Sequence, residues 1–374
     1  MTGVAVVGAG IVGAAVAREL AVRGVSVLLL DRGAVSSGTT GLGEGNVLAS
    51  DKPPGPELAF TLAALEVYAE LEARLGEAAR IRRKGALIVH PDAATWAAEP
   101  GRLAAAGVPG ARLVAPGELR ELEPELTGPV YGASLFPGDL QCDPRGIARA
   151  LARVAAAAGA TVRTSCAVAA VDGGGVRLAT GKRVAADAVV IAAGPWSAPL
   201  AAGAGLPLPL EPRKGQLVRL AAPAPAPDLV RHKVVDGSYL ASVASADAGP
   251  QLSTVVETTF DGDVLVGSSR ERRGFDTSVD PELSTALVRR AAALFPRLGR
   301  LPLRDAWAGL RPWLPDGLPA IGPSRRVPGL WLATGHEGAG VALGPVTGRL
   351  VAQLYTGEPP VVDPAPFDPD RFAR

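Results

Sequence analysis

The spacing of apolar and polar positions predicts that strands and helices alternate from the start of the chain. Residues 3–7 form a β-branched apolar run, residues 14–20 have helical composition, and residues 26–30 form a second apolar run. Further on, apolar residues at helical spacing mark a helix over 56–75, and residues 84–89 are typical of a strand. The chain is therefore expected to begin as an α/β fold.

Capping and terminating residues bound the next elements. Asp143 is a predicted N-cap, Pro144 the first helical residue, and Gly159 the residue that ends this helix. A strand is expected over 161–171, and the segment 187–197 is an apolar strand that ends in a turn of small residues. Such a turn allows the backbone to lie against a bound molecule.

The pattern changes in the middle of the chain and then returns. Segment 206–275 has proline-rich connections and short alternating runs, which predict an antiparallel sheet. A helix is predicted over 280–294, and a strand over 329–334 precedes a glycine-rich turn and a final helix. The proline-containing tail after Gly357 is expected to be an extended strap.

Three glycines stand between the first strand and the first helix, in the segment GAGIVG. Gly8 permits a tight turn, Gly10 lets backbone N–H groups approach a pyrophosphate, and Gly13 lets the helix pack closely on the strand. Asp31 ends the second strand, where a carboxylate accepts hydrogen bonds from ribose hydroxyls and repels a 2′-phosphate. These residues predict that FAD or NAD, rather than NADP, is bound here.

The hydroxyl- and glycine-rich segment 36–46 follows directly. This composition makes a poor core, but it suits a loop that wraps phosphates and the edge of a ring. A nicotinamide-binding half-domain would continue into another helix. The position beside the glycine turn favours a cofactor contact over a solvated surface loop.

Composition excludes several classes of function. The 38 Lys and Arg residues balance the 37 Asp and Glu residues among 374, with no dense basic block, so nucleic acid binding is not expected. Cys142 and Cys166 are the two cysteines, too few for a metal or iron-sulfur site in this chain and compatible with a reducing cytosol. Without a leader-like start or a long apolar run, the chain is expected to be cytoplasmic and to lack a transmembrane segment.

Seven segments together resemble the FAD-dependent D-amino-acid oxidase and dehydrogenase (DAO) superfamily, which includes glycine oxidase and sarcosine oxidase. They lie in family order over nearly the whole chain: VAVVGAGIVGAAVA, SSGTTGLGEGN, VVIAAGPWS, PRKGQLV, DGDVLVGSSRER, WAGLRPWLPDGLPAIG and LWLATGHEGAGVALGP. Within the superfamily, GEGNVLASDKPPGPEL, RHKV and GSSRERRGFDTS are most similar to FAD subunits of D-hydroxyproline dehydrogenase (beta), opine oxidase and hydrogen cyanide synthase.

The resemblance implies an α/β chain with a Rossmann-type FAD-binding domain and an inserted α+β substrate domain built on an antiparallel sheet. The FAD-binding domain is expected to be discontinuous, over 1–85, 140–205 and 305–374. The substrate domain is expected over 86–139 and 206–304, with its sheet above the reactive face of the flavin.

The resemblance also implies which residues contact FAD. They are Gly8, Gly10, Ile11, Val12, Gly13, Asp31, Arg32, Thr39, Thr40, Gly45, Asn46, Val168, Ala193, Gly194, Trp196, Gly335, His336, Glu337, Gly338, Ala339, Gly340 and Val341. The turn 335–341 is expected to direct N–H groups from a helix start towards the pyrimidine edge of the flavin, where negative charge accumulates on reduction. Segment 313–316 lacks the cysteine through which sarcosine oxidase relatives attach flavin, so FAD is expected to be noncovalent.

Arg311 matches the arginine that holds the substrate carboxylate in the glycine oxidase branch, and a planar guanidinium can bind a carboxylate bidentately. Two further catalytic candidates are Tyr239, which could close the pocket by a hydrogen bond or only pack in a strand, and His336. His336 and Glu337 could tune proton supply, and a capping or supporting role is an equal alternative.

The expected reaction is oxidation of a Cα–N bond, in which the α-hydrogen leaves as hydride to flavin N5 and the imine hydrolyses. The substrate is expected to be a D-amino or secondary amino acid resembling proline, hydroxyproline or an opine. The main hypothesis is a dehydrogenase subunit that passes electrons to iron-sulfur or NADH-flavin partner subunits. The others are a stand-alone oxidase that makes hydrogen peroxide, a flavin monooxygenase, whose Gly-Asp-Ala-type segment is missing, and a noncatalytic FAD-binding scaffold.

Overall fold

The computed structural model describes residues 2–223, 229–237 and 249–372. The α-helices in these ranges are α1 (Ile11–Ala21), α2 (Thr39–Leu42), α3 (Pro56–Leu75), α4 (Ala93–Ala106), α5 (Pro116–Leu122), α6 (Pro144–Ala157), α7 (Ser197–Gly203), α8 (Pro281–Leu294) and α9 (Gly340–Thr356). The strands are β1 (Thr2–Val7), β2 (Val27–Leu30), β3 (Asn46–Val47), β4 (Ile81–Arg82), β5 (Ala86–His90), β6 (Arg112–Val114), β7 (Gly132–Phe136), β8 (Leu140–Cys142), β9 (Thr161–Arg163), β10 (Val168–Asp172), β11 (Gly175–Leu178), β12 (Arg183–Ile191), β13 (Glu211–Leu220), β14 (Lys233–Asp236), β15 (Gln251–Thr258), β16 (Val264–Arg270), β17 (Leu303–Trp313), β18 (Ala320–Pro323) and β19 (Leu330–Thr334). Within those ranges, no helix is long and apolar enough to cross a membrane.

The first sheet is built around β1. Its strands follow the order β10-β11-β12-β1-β2-β9, with β19 beside β12 and β18 beside β19. β1 pairs in parallel with β2 and β12, and β19 pairs in parallel with β12. Because parallel strands require both faces to be covered, α1, α3, α6 and α9 bury one face in a common core. The expected α/β class is confirmed.

The second sheet follows the order β17-β13-β16-β15-β14-β5-β7-β6. Most neighbours are antiparallel, but β14 and β5 are parallel, with Val234 beside Leu87. The antiparallel sheet predicted over 206–275 is confirmed by the pairing of β13 with β16, of β16 with β15 and of β15 with β14. The parallel pair joins this segment to β5, outside it, and was not predicted. Alternation within a strand shows which residues face the core, but it carries no information about the direction of a neighbour from a distant part of the chain.

Several predicted elements are confirmed. The helix predicted over 56–75 is α3. Asp143 caps α6 by accepting hydrogen bonds from the backbone N–H groups of Arg145 and Gly146. Gly159, just beyond that helix, has a φ of +98°, which suits a terminating glycine. Asp280 caps α8 in the same way as Asp143 caps α6.

The strand predicted over 161–171 is wrong, because two strands occupy the segment. β9 pairs with β2, whereas β10 pairs with β11. Between them Ser165 has a φ of +52°, and the N–H of Cys166 donates to the carbonyl of Asp31 at 2.7 Å. A long-range hydrogen bond therefore bends a segment whose residues favour a continuous strand.

The tail after Gly357 is not simply an extended strap. It contains short 3-10 turns at Ala365–Phe367 and Pro369–Phe372. The Phe367 ring is buried, with its centroid 4.8 Å from that of Phe60 in α3. The tail therefore contributes to the core beside the first sheet.

Strand pairing also bears on the predicted domain boundaries. The sequence assigns residues from 305 onward to the first domain. However, β17 pairs with β13 from Glu211, opposite Trp313, to Leu220, opposite Leu303. The second sheet therefore extends to Trp313. The division of the chain into two domains stays a prediction.

Candidate active site

A tight glycine turn joins β1 to α1. Gly8 has a φ of +107°, a left-handed conformation that favours glycine. A Cβ atom on Gly13 would lie 1.8 Å from the carbonyl oxygen of Gly8, so only glycine permits this approach of helix to strand. The N-cap of α1 is Gly10, which has no side chain to cap the helix. The N-terminal end of α1 therefore presents backbone N–H groups to an anion.

Asp31 follows β2 beside this turn. Its Oδ2 accepts from the backbone N–H of Ala9 at 2.6 Å, and its Oδ1 accepts from that of Gly33 at 2.7 Å. The next residue, Arg32, has its guanidinium 3.9 Å from the centre of the Trp196 ring. The carboxylate is thus held rigidly at the edge of a cleft.

The hydroxyl-rich loop connects the two sheets. The Thr40 hydroxyl accepts from the backbone N–H of Ile11 at 3.0 Å, at the start of α1. The Thr39 hydroxyl donates to the carbonyl of Leu310 in β17 at 2.7 Å, and the Trp307 indole N–H donates to the carbonyl of Leu42 at 2.8 Å. The loop is therefore fixed between the glycine turn and the second sheet.

A cleft of about 580 Å³ lies between the sheets. We call its second-sheet wall, formed by β13, β16 and β17, the roof. Most predicted site residues line the cleft: Gly8, Gly10, Ile11, Val12, Asp31, Arg32, Thr39, Thr40, Asn46, Val168, Ala193, Gly194, Trp196, Arg311, His336, Glu337, Gly338, Gly340 and Val341. Gly13, Gly45, Gly335 and Ala339 are not among the lining residues. Tyr239 lies outside the described residues.

Arg311 extends from β17 across the roof. Its Nη1 donates to the carbonyl of Ser269 in β16 at 3.0 Å. A Cβ atom on Gly215, in the neighbouring strand β13, would lie 2.0 Å from Nη1. The absence of a side chain at Gly215 therefore provides the space that the guanidinium occupies.

Glu337 stands in the turn before α9, among three arginines. Its Oε1 lies 3.5 Å from Arg270 Nε, 3.7 Å from Arg213 Nη1 and 4.0 Å from Arg311 Nε. Burial acts to raise the pKa of Glu337, but the three guanidinium groups hold it below its usual value. Burial also lowers the pKa of Arg213 to about 10. Among the described residues, three guanidinium groups therefore surround one buried carboxylate at this end of the cleft.

His336 is buried beside Glu337. One ring nitrogen, Nε2, lies 2.9 Å from the Thr347 hydroxyl of α9. Burial lowers the pKa of His336 to about 3, so the ring is neutral at neutral pH. A role in proton supply stays a prediction, and the geometry favours the alternative in which His336 supports the turn.

Sequence reasoning missed Glu44 and Lys233 as site residues. Glu44 lines the cleft and is hydrogen-bonded to Lys233, whose Nζ also donates to Asn46 Oδ1 at 2.6 Å. Burial acts to raise the pKa of Glu44, but Lys233, Asn46 and Arg311 lower it overall. An acidic residue inside a glycine-rich loop was the available signal for Glu44. Lys233, by contrast, follows a strand pattern that says nothing about its partner 189 residues away.

The residues of this cleft fit a flavin dinucleotide. The start of α1, whose N-cap Gly10 has no side chain, suits the pyrophosphate, and Asp31 suits a ribose. Gly194, with a φ of +56°, leaves the cleft wall free of a side chain beside them. The cleft continues from these residues to Arg311 under the roof, so that one elongated ligand and a small carboxylate substrate could lie end to end.

Comparison with known proteins agrees with this geometry. A family model described as FAD dependent oxidoreductase (DAO) matches residues 3–354. A glycine oxidase of Geobacillus kaustophilus (strain HTA426) is 34% identical over 97% of this chain and 95% of its own length.

Solved structures are similar over the same extent. The crystal structure of a glycine oxidase from Geobacillus kaustophilus matches with a TM-score of 0.88 at 30% identity, over 99% of each chain. An iminodiacetate oxidase from Chelativorans sp. BNC1 matches with a TM-score of 0.85 at 26% identity, over 98% of each chain. An L-proline dehydrogenase from P. horikoshii has the same fold, with a TM-score of 0.88 at 24% identity over 99% of this chain and 97% of its own.

Proposed function

The chain belongs to the DAO family of FAD-dependent oxidoreductases and is an amino acid or amine dehydrogenase or oxidase; we propose that its substrate is a D-amino or secondary amino acid resembling proline, hydroxyproline or an opine. In this proposal FAD is held noncovalently, and the chain is the dehydrogenase subunit of a larger complex.

The observation that carries the proposal is the position of Arg311. Its guanidinium lines the cleft, is oriented by the carbonyl of Ser269, and lies over Gly215. A guanidinium held in this way can bind a carboxylate through two parallel hydrogen bonds. It would fix one end of an amino acid and leave the α-carbon to face the rest of the cleft.

Each wall of the cleft has a distinct part in this function. Bound FAD would supply the chemistry, by accepting the α-hydrogen of the amine, in its neutral form, as hydride at N5 and leaving an iminium that hydrolyses. The start of α1 would hold the pyrophosphate, Asp31 the adenosine ribose, and the backbone of Gly338 and Gly340 the pyrimidine edge. The roof would orient the substrate and exclude water from it.

The names of the relatives support amine oxidation of this kind. Glycine and iminodiacetate, named for two of the similar oxidases, share an amino group and a carboxylate on one carbon, and iminodiacetate is a secondary amine. Those names also favour the second candidate, a stand-alone oxidase that delivers electrons to oxygen. With Cys142 and Cys166 as the chain's two cysteines, an iron-sulfur relay would have to lie on a partner subunit.

Anaerobic mixing of the purified yellow protein with an amino acid panel tests both candidates. The panel contains D- and L-amino acids, glycine, both enantiomers of proline and hydroxyproline, sarcosine and an opine. Bleaching of the flavin by one class, unrestored by air but restored by an artificial acceptor, would support the dehydrogenase. Prompt recovery in air with formation of peroxide would support the oxidase, and no bleaching by any compound would contradict both.

A pair of variants on β17 tests the anchor. We expect Arg311→Met to lose substrate-dependent bleaching while it keeps FAD. Arg304→Met is the matched control, because Arg304 is on the same strand but is largely exposed and pairs with Asp263 at 3.2 Å. Equal activity of the two variants would contradict a role of Arg311 in carboxylate binding.

A further inference from the structure

We infer that Glu44 is the residue that recognises the amino group of the substrate, so that the cleft selects a zwitterion by two fixed charges of opposite sign. The inference rests on the proposed function, because it takes Arg311 as the anchor of the carboxylate. It adds a specificity-determining residue to which the sequence analysis gave no individual role.

The Glu44 carboxylate lies next to the roof. A Cβ atom on Gly267, in β16, would lie 2.8 Å from Glu44 Oε1 and 2.6 Å from the side chain of Leu217 in β13. Glu44, Leu217 and Arg311 all line the cleft. The anion and the guanidinium therefore face the same space beneath the same three strands.

One carboxylate oxygen remains available. Asn46 Nδ2 donates to Oε2 at 2.5 Å, and Lys233 Nζ donates to the same Oε2. Oε1 has no hydrogen-bond partner among the residues that the structure describes, and 13% of the Glu44 side chain is exposed. The Glu44 carboxylate therefore keeps one oxygen that can accept a further hydrogen bond.

The surrounding charges keep this carboxylate ionised and in place. Lys233 is buried and also lies 3.7 Å from Glu257. Among the described residues that line the cleft, Glu44 and Arg311 therefore offer charges of opposite sign. This arrangement matches an amino acid, with its carboxylate at Arg311 and its amine at Glu44.

Such an acceptor implies a definite ligand chemistry. A carboxylate oxygen can accept a hydrogen bond from a primary or secondary amine and attracts its protonated form. A tertiary amine in its neutral form, an ether or a hydrocarbon at the same position offers no N–H. The site is therefore expected to prefer primary and secondary amino acids over carboxylates of equal shape without the amine.

The test compares two ligands in holoenzyme variants. The first ligand is the panel amino acid that bleaches wild-type flavin fastest, and its dissociation constant comes from the concentration dependence of anaerobic bleaching. The second is tetrahydro-2-furoate, a carboxylate with a ring oxygen in place of the N–H of proline, titrated through the flavin spectrum. In Glu44→Gln we expect amino acid binding to weaken by roughly tenfold to a hundredfold, whereas tetrahydro-2-furoate binding should not weaken, because its ring oxygen has no N–H to lose a bond to Glu44.

Controls separate a binding role from a structural one. Glu72→Gln removes a glutamate that pairs with Arg83 at the surface, and it should change neither constant. Glu44→Asp keeps the charge but shortens the side chain by one methylene, so it should weaken amino acid binding selectively. This variant provides the test if Glu44→Gln retains too little FAD to titrate. Equal weakening of both ligands, or of neither, would overturn the inference. Wild-type flavin that no amino acid bleaches would instead contradict the proposed function.

Discussion

The two walls of the cleft are built by different means. The first-sheet wall presents backbone N–H groups to the cleft at the Gly8 turn and the start of α1, with the Asp31 carboxylate beside them. The roof presents long charged side chains such as Arg311, held by groups on other strands. A wall made of backbone can serve a cofactor shared by many enzymes, whereas a wall made of side chains can be changed residue by residue to select a substrate.

The variant with the largest predicted effect disrupts the first-sheet wall at the Gly8 turn. Gly13→Val would place side-chain atoms against the Gly8 carbonyl, which lies 1.8 Å from even the first of them. We expect the variant to lose bound FAD and about 3 kcal/mol or more of unfolding free energy, as measured by flavin absorbance and urea unfolding. Gly203→Ala, where an added Cβ would have no neighbour within 4 Å, is the control. A yellow Gly13→Val variant of normal stability would contradict the close approach.

The second predicted variant, Gly215→Ala, alters only the roof. In Gly215→Ala the new Cβ would meet the flexible end of Arg311 rather than backbone, so the guanidinium must move. We expect kcat/KM to fall roughly tenfold to a hundredfold, because a bidentate charge pair is lost or misaligned. FAD content and melting temperature should stay close to wild type. A loss of FAD together with activity would show that the two walls are not separable.

A third variant tests whether Asp31, in the first-sheet wall, contributes to FAD affinity. Asp31→Asn keeps the size of the side chain, but its amide group cannot accept from both Ala9 and Gly33. We expect FAD to bind about tenfold more weakly, measured by fluorescence titration of the apoprotein, with kcat unchanged at saturating FAD. Asp172→Asn, at an exposed pair with Arg183, should leave the affinity as it is. A fall in kcat with unchanged affinity would contradict the assignment.

The smallest effect concerns pH. Burial keeps the pKa of folded His336 at about 3, below its ordinary 6.5. The unfolded chain therefore takes up a proton below pH 6.5 that the folded chain does not, and stability is lost as the pH falls towards 3. We expect the unfolding free energy between pH 6 and pH 5 to fall more steeply in wild type than in His336→Gln, by at most about 1.4 kcal/mol per pH unit. Parallel curves would contradict the buried neutral ring.

The same contrast explains what could be predicted from the sequence. The Gly8 turn, Asp31 and the caps of α6 and α8 were predictable because each depends on residues close in sequence or on a fixed spacing. Arg311 was found only through a family resemblance. The pairing of Glu44 with Lys233 was not predictable, since it depends on the position of β14 beside β5, a strand from a distant part of the chain. The bend at Ser165 was not predicted for the same reason, because it depends on the long-range hydrogen bond from the Cys166 N–H to the carbonyl of Asp31.

The parallel pairing of β14 with β5 also determines when the second sheet can be completed during synthesis. On the ribosome, β5 and β7 are made early, but the edge of β5 stays uncovered until Asp236 has been synthesised. The first sheet is completed later than this, since β19 and α9 follow β14 along the chain. An exposed edge is open to wrong pairing. The glycine turn is thus made before β5, yet the complete cofactor cleft forms only after α9 has been made.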